Sequence, residues 1–211
     1  MSLKKIIQFS NKDLEIKQEE TVYQGYFKIK CFHFRHRLFA QGWTPIVKRE
    51  VLESGNAVGV LAYDPLLNKV VLIQQFRIGA FKDEESPWLL EIIAGSVDSN
   101  NSYEQTAHRE AKEEAGLELL ELHHICEYWT APAGLTQKVH LFCARVDAQK
   151  VNGIYGLKDE DEDIKVSVVQ ITDAFNAVKN GEIKSAHAII ALQWLELNLE
   201  QLRKQWCTSS S

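Results

Sequence analysis

The first fifty residues read as strands, with apolar positions partly alternating with polar ones as in a sheet that has one wet face. The runs are Glu15 to Tyr23, Tyr26 to Arg37 and Thr44 to Leu52, punctuated by Gly25 and Gly42. A sheet of this size is too small to stand alone, so residues 1–50 are expected to form an antiparallel β extension. It would pack on the main domain, residues 51–211, or on a second subunit. From about residue 53 the pattern changes. Val58 to Tyr63 and Lys69 to Phe76 predict strands joined by a turn containing Asp64, Pro65 and Asn68. Trp88 to Ala94 predicts a third strand ending at Gly95. A helix follows, opened by the capping box of Ser102 and Gln105 and stopped by Gly116. Strands resume at Ile125 to Thr130, Val139 to Val146 and Ile164 to Ile171. Helices then cover Asp173 to Asn180 and Ala186 to about Gln205. Strands with one inserted helix, followed by terminal helices, predict a mixed α/β sandwich rather than a regularly alternating parallel sheet.

Composition changes this picture only by exclusion. The 211 residues suffice for one large domain or a domain with a small extension. Net charge is −5, from 24 Lys plus Arg against 29 Asp plus Glu, which argues against a nucleic-acid binder. An acidic protein that handles anionic substrates needs local basic groups or metal cations. Cys31, Cys126, Cys143 and Cys207 form no Cys-x-x-Cys pair, so a zinc ribbon is not expected and reduced cytoplasmic thiols are. Apolar runs fall short of the ~18 residues of a membrane span, and the N-terminus has no signal-peptide core.

The predicted Ser102–Gly116 helix concentrates carboxylates. Residues three and four apart share a helical face, which brings Glu110, Glu113 and Glu114 to one side. Ala107, Ala111 and Ala115 form a second stripe, small enough for close packing on a sheet. A solvated acidic face is the competing reading, but like charges at this spacing destabilise a helix by a few tenths of a kcal/mol per pair. A hard cation removes that repulsion, because Mg2+ takes oxygen ligands and keeps positions for water and phosphate.

Gly95, followed by Arg109-Glu110-Ala111-Lys112-Glu113-Glu114-Ala115-Gly116-Leu117, resembles the box of the Nudix hydrolases. One position departs: the first glutamate of the box falls at residue 101, which is Asn101, and Asn101 is expected to stand in by bonding Arg109. Further segments resemble the ADP-ribose pyrophosphatase branch over nearly the whole chain. They include Phe34 to Phe39, Val71 to Arg77, Pro87 to Glu91, Ala131-Pro132-Ala133-Gly134 and Ile189 to Leu195. Pro132 lies 15 residues after Leu117, where that branch carries a proline. Ala133 and Gln137 depart from the branch, at positions expected near the terminal ribose.

The resemblance implies an α+β fold, a Nudix-type α/β/α sandwich with an N-terminal antiparallel β extension, and metal-dependent hydrolysis of ADP-ribose to AMP and ribose 5-phosphate. Mg2+, or Mn2+, would be held by Glu110, Glu114, Glu113 and the carbonyl of Ala94, with Gly95, Arg109 and Gly116 orienting the box. Within Lys158 to Asp163, whose bland reading is a solvated acidic loop, Glu160 matches the general base and Glu162 a further metal-contacting carboxylate. Arg49 and Arg77 match substrate-contacting positions, against a purely structural Arg–carboxylate pairing, and Tyr26 matches a base-stacking aromatic. His123, His124 and His140 lack ligand-like spacing, and Trp194 and Trp206 read as packing or dimer contacts. The partners implied are a nucleoside diphosphate sugar and a second copy of the chain in a homodimer, with neither nucleic acid nor membrane. GDP-mannose or another nucleotide sugar is the alternative substrate. A non-catalytic nucleotide sensor and a structural protein using the aromatic N-terminal sheet are the alternatives of other classes. NADH is disfavoured because the branch that takes it carries a zinc ribbon.

Overall fold

The computed structural model describes residue 6, residues 8–149 and residues 151–208. The chain divides into two compact units, residues up to Gly55 with Trp129–Gln137, and Asn56–Tyr128 with Lys138 onward. The first unit is an antiparallel sheet in the order β1 (Leu14–Gln24), β2 (Lys28–His36), β3 (Val47–Glu53). The Trp129–Gln137 loop is fastened to β3, since Leu52 N–H donates to the Gly134 carbonyl and Thr136 N–H to the Leu52 carbonyl. Ion pairs cross the strands: Lys30 Nζ lies 2.5 Å from Glu19 and 2.7 Å from Glu53, and Arg35 pairs with Glu15.

The second unit is built on an eight-stranded sheet. Its order is β10 (Gly153–Tyr155), β11 (Ile164–Gln170), β5 (Lys69–Phe76), β4 (Ala57–Asp64), β9 (Lys138–Arg145), β8 (Glu121–Trp129). Two short strands join beside it, β6 (Trp88–Glu91) on β5 and β7 (Ile93–Ser96) on β4. β4 and β9 run parallel, whereas β4 pairs antiparallel with β5 and β7.

Two-residue periodicity sends alternate side chains to opposite faces. Val58, Val60 and Ala62 of β4, with Val71 and Ile73 of β5, join Ala107, Ala111 and Ala115 of helix α1 (Tyr103–Ala115). Leu61 and Tyr63, with Val70 and Leu72, join residues of α2 (Ile171–Lys179) and α3 (Ala186–Thr208). One helix on one face and two on the other make the α/β/α sandwich that the family resemblance implies. The alanine stripe is fully buried.

Four expectations about the elements need correction. The run expected as one strand from Trp88 to Ala94 breaks at Ile92, because β6 and β7 pair with different strands. Tyr26 does not begin the second strand; it stands in the bend between β1 and β2 and is 96% exposed. The third strand starts at Val47 rather than Thr44, and Pro45, which has no N–H to give a ladder, accounts for the delay. β10 is a further strand, in a glycine-containing stretch where the sequence pattern predicts none.

Trp206 closes the far end of the α2/α3 side. It is buried, with its ring 6.2 Å from that of Tyr63, so it is a packing residue of its own chain. Trp206→Ala is expected to lower stability by about 3–5 kcal/mol. Urea unfolding should show a lower midpoint with an unchanged slope.

Candidate active site

The carboxylates of α1 do not all face water. Ser102 opens the helix with both bonds of its capping box formed, and Gly116 closes it at φ 63°. Between those ends Glu110 and Glu114 are buried, and Glu113 is half-buried. β7 packs against this face of the helix and covers Glu110 and Glu114. The Ala94 N–H donates to Glu114 Oε2 at 2.9 Å. Gly95 lets the Glu110 carboxylate lie directly on the backbone, for a Cβ there would come within 1.9 Å of its Oε1.

Burial in low dielectric disfavours the charged form of a carboxyl group. It pushes Glu110 up to about 7, against the opposing effect of the adjacent Arg109 guanidinium. It pushes Glu114 up to about 8, against the bond from Ala94 N–H, with Glu110 and Glu162 adding to the rise. Arg109 is bound at 2.7 Å by Glu110 and at 2.7 Å by Glu113, and it donates to the Ser96 carbonyl at 3.3 Å. Glu113 is thus engaged with Arg109. The expected Asn101–Arg109 bond is not formed. Asn101 turns back on Asp98 through its own N–H, and the side chain of Asp98 instead approaches Arg109, at 3.8 Å.

Residues 153–162 fold against the C-terminal end of α1. The ring of Tyr155 lies where a side chain on Gly116 would project, and Gly156 N–H donates to the Glu113 carbonyl at 3.3 Å. Gly156, at φ +106°, has no room for a Cβ, which would meet Glu162 at 2.6 Å. Glu162 is held by the Leu157 N–H at 3.0 Å and its charge acts on both Glu110 and Glu114. Glu160 ends the exposed Lys158–Glu160 turn.

Arg77 reaches the same cluster, where its charge favours ionised Glu114. Its Nε and one terminal nitrogen both bind Glu91 Oε2 at 2.9 Å. Glu91 belongs to the Pro87–Glu91 segment and has no motif role to mark it. A carboxylate at the end of an apolar strand run, only 4% exposed, was the available signal for it. Arg49 and Tyr26 belong to the other unit. Arg49 lines a cleft of about 250 Å³ there, with Phe32, Phe34, Val51, Pro132 and Ala133. Gln137, in the same unit, has its side-chain amide 3.4 Å from Ser54 Oγ.

Two buried carboxylates held between α1 and β7, a third beside them and a carboxylate from the 153–162 loop are an oxygen-donor set of the kind hard cations take. The NUDIX domain family matches residues 53–192, which contain all of these groups. The chain belongs to the NUDIX family. Relatives place it in the ADP-ribose pyrophosphatase branch of the Nudix hydrolases. It is 44% identical to an ADP-ribose pyrophosphatase of Haemophilus influenzae over 97% of this chain and 95% of the relative. It is 41% identical to the ADP-ribose pyrophosphatase of Escherichia coli strain K12, over 95% of this chain and 96% of the relative. A GDP-mannose pyrophosphatase of Escherichia coli O1:K1 / APEC is 36% identical over 72% of this chain and 78% of the relative. Among solved structures, an ADP compounds hydrolase superposes with a TM-score of 0.70 at 20% identity, over 93% of this chain and all of that one, a likeness of fold.

The Nudix site carries its own pH signature. Glu110 and Glu114 hold their protons to about 7 and 8 in the folded chain, against an ordinary value of 4.5. The metal-free unfolded chain therefore binds fewer protons across that window, and stability falls as pH rises through it. The melting temperature of metal-free protein is expected to drop between about pH 5 and pH 8. Glu114→Gln should flatten that drop and also abolish stabilisation by added Mg2+. A melting temperature independent of pH in the wild type would contradict the buried-carboxylate account. Gly95→Ala tests the packing directly: far-UV circular dichroism should be retained while divalent-metal affinity falls roughly tenfold or more.

Proposed function

We propose that this Nudix pyrophosphatase hydrolyses the diphosphate of ADP-ribose to AMP and ribose 5-phosphate in a divalent-metal-dependent reaction. The observation that carries the metal dependence is the buried pair Glu110 and Glu114, pressed on Gly95 and Ala94 and raised well above the ordinary carboxylate range. Similarity to ADP-ribose pyrophosphatases along almost the whole chain supports the substrate. Glu110 and Glu114, with Glu113, the Ala94 carbonyl and Glu162, would hold Mg2+ or Mn2+. When bound, the ion neutralises charge on the diphosphate and makes water a better nucleophile at neutral pH.

The remaining work falls to side chains. Arg77 binds diphosphate oxygens with the face of its guanidinium not committed to Glu91, and Glu91 fixes its direction. Glu160 accepts the proton of the attacking water. The water oxygen forms a bond to one phosphorus, the bridging P–O bond breaks, and the other phosphate leaves. In the first unit, Arg49, which lines a cleft with Pro132 and Ala133, and the exposed Tyr26 are candidate substrate contacts. We place the enzyme in the cytoplasm as a homodimer with the first unit reaching a partner copy. The free thiols and the lack, among the described residues, of a helix long and apolar enough to cross a membrane are compatible with that location.

Glu160→Gln should lower kcat by about 10²–10⁴-fold with metal affinity kept, and Glu162→Gln should weaken metal binding. If neither changes turnover, the assignment of this loop is wrong. The substrate is tested with a panel of nucleoside diphosphate compounds and Mg2+, both products being identified by mass. The expected outcome is AMP and ribose 5-phosphate at by far the highest rate. GDP-mannose as the fastest substrate would favour a second reading, which rests on the similarity to a GDP-mannose pyrophosphatase and on Gln137 being turned to Ser54. A flat profile would remove the ADP-ribose assignment.

A further inference from the structure

The β1–β2 hairpin gathers three unlike metal donors outside the site described above. Cys31 stands directly across from Glu20 in the strand register, and His33, two residues along β2, points to the same face. Their ligand atoms, Cys31 Sγ, a His33 ring nitrogen and a Glu20 carboxylate oxygen, all lie within 4.8 Å of one another. Cys31 is fully buried, His33 is half-buried and Glu20 is exposed, so the thiol forms the floor of the group and the carboxylate its rim. His33 Nε2 and Glu20 Oε1 are 3.9 Å apart, too far for a hydrogen bond between them and close enough to share an ion. On the other neighbouring strand Glu50 is the register partner of Cys31, adding a second carboxylate to this face, while Lys48 faces His33.

We propose that Glu20, Cys31 and His33 bind a zinc ion. Sulfur, imidazole and carboxylate together are the donor mixture zinc accepts, and three protein ligands leave the fourth tetrahedral position for water. Mg2+ prefers oxygen alone and is a poor match, so this site and the carboxylates of α1 select different ions. Binding replaces the Cys31 S–H with an S–Zn bond and releases that proton to solvent. The hairpin has register irregularities on both sides of Glu20, between Ile16 and Gln18 and between Thr21 and Tyr23. An ion held by both strands there fixes their pairing where the ladder itself is broken.

The test uses the full chain, stripped with a chelator and titrated with Co2+ and then Zn2+ in excess Mg2+. Co2+ bound through a thiolate gives a sulfur-to-metal charge-transfer band in the near ultraviolet, which a site made of carboxylates does not. The band is expected at one ion per chain, displaced by Zn2+, absent in Cys31→Ser and weakened roughly tenfold or more in affinity by His33→Ala. His33 and Glu20 are not buried, so His33→Ala and Glu20→Ala should keep the fold by circular dichroism even if Cys31→Ser does not. No band in the wild type, or one that survives both His33→Ala and Glu20→Ala, overturns the proposal.

Discussion

Two carboxylates that water would hold at no cost are instead pressed between α1 and β7, and the rest of the second unit is arranged to make that possible. Taking an ionised carboxylate out of water is expensive unless it is paired or gives up its charge. Here both devices are in use. Arg109 pairs with Glu110, the Ala94 N–H serves Glu114, and burial pushes both groups up toward or past neutral pH. Close approach of helix and strand requires small residues at the contact. Ala107, Ala111 and Ala115 supply them on the helix and Gly95 on the strand. The sandwich and the site therefore share one cause, a helix that can lie close on its sheet.

The same closeness explains the short strands. β6 and β7 are pieces of one apolar run that changes partner at Ile92, from β5 to β4. The change carries Glu91 to the end of one pairing and Ala94 with Gly95 into the next. Arg77, anchored on Glu91, and Glu114, anchored on Ala94, are thereby brought to one cluster from opposite sides of the break. A single uninterrupted strand would carry all these residues along one partner.

Much of this was legible in the residues before any coordinates. The capping box of Ser102 and Gln105, the left-handed Gly116 and the alanine stripe are local signals, and local signals of helix ends and faces are strong. Other features depend on pairing that no local pattern reveals. The break at Ile92 is set by which strand lies alongside. β10 has three residues and no periodicity to detect. The motif puts a glutamate at residue 101, which makes Asn101 the expected partner of Arg109. The loop in fact brings Asp98 to the guanidinium, and Asn101 spends its N–H on the turn. Glu160 and Glu162 differ by two positions in an acidic run, yet only a folded loop separates an exposed carboxylate from one whose charge acts on the box.

In the first unit polar groups organise a sheet with little core of its own. Lys30 is held between Glu19 on one neighbouring strand and Glu53 on the other, which raises its affinity for its proton. Exposed pairs of this kind stabilise little on their own, but a lysine bridging three strands opposes slippage, because a one-residue shift would carry it to the other face. On that same face Phe32 and Phe34 meet Arg49, Pro132 and Ala133 around a small cleft. Charges on the sheet thus hold the register that an apolar core would otherwise set. The two units follow opposite strategies: the second buries carboxyl groups at a helix–strand contact, and the first exposes charge to keep its strands aligned.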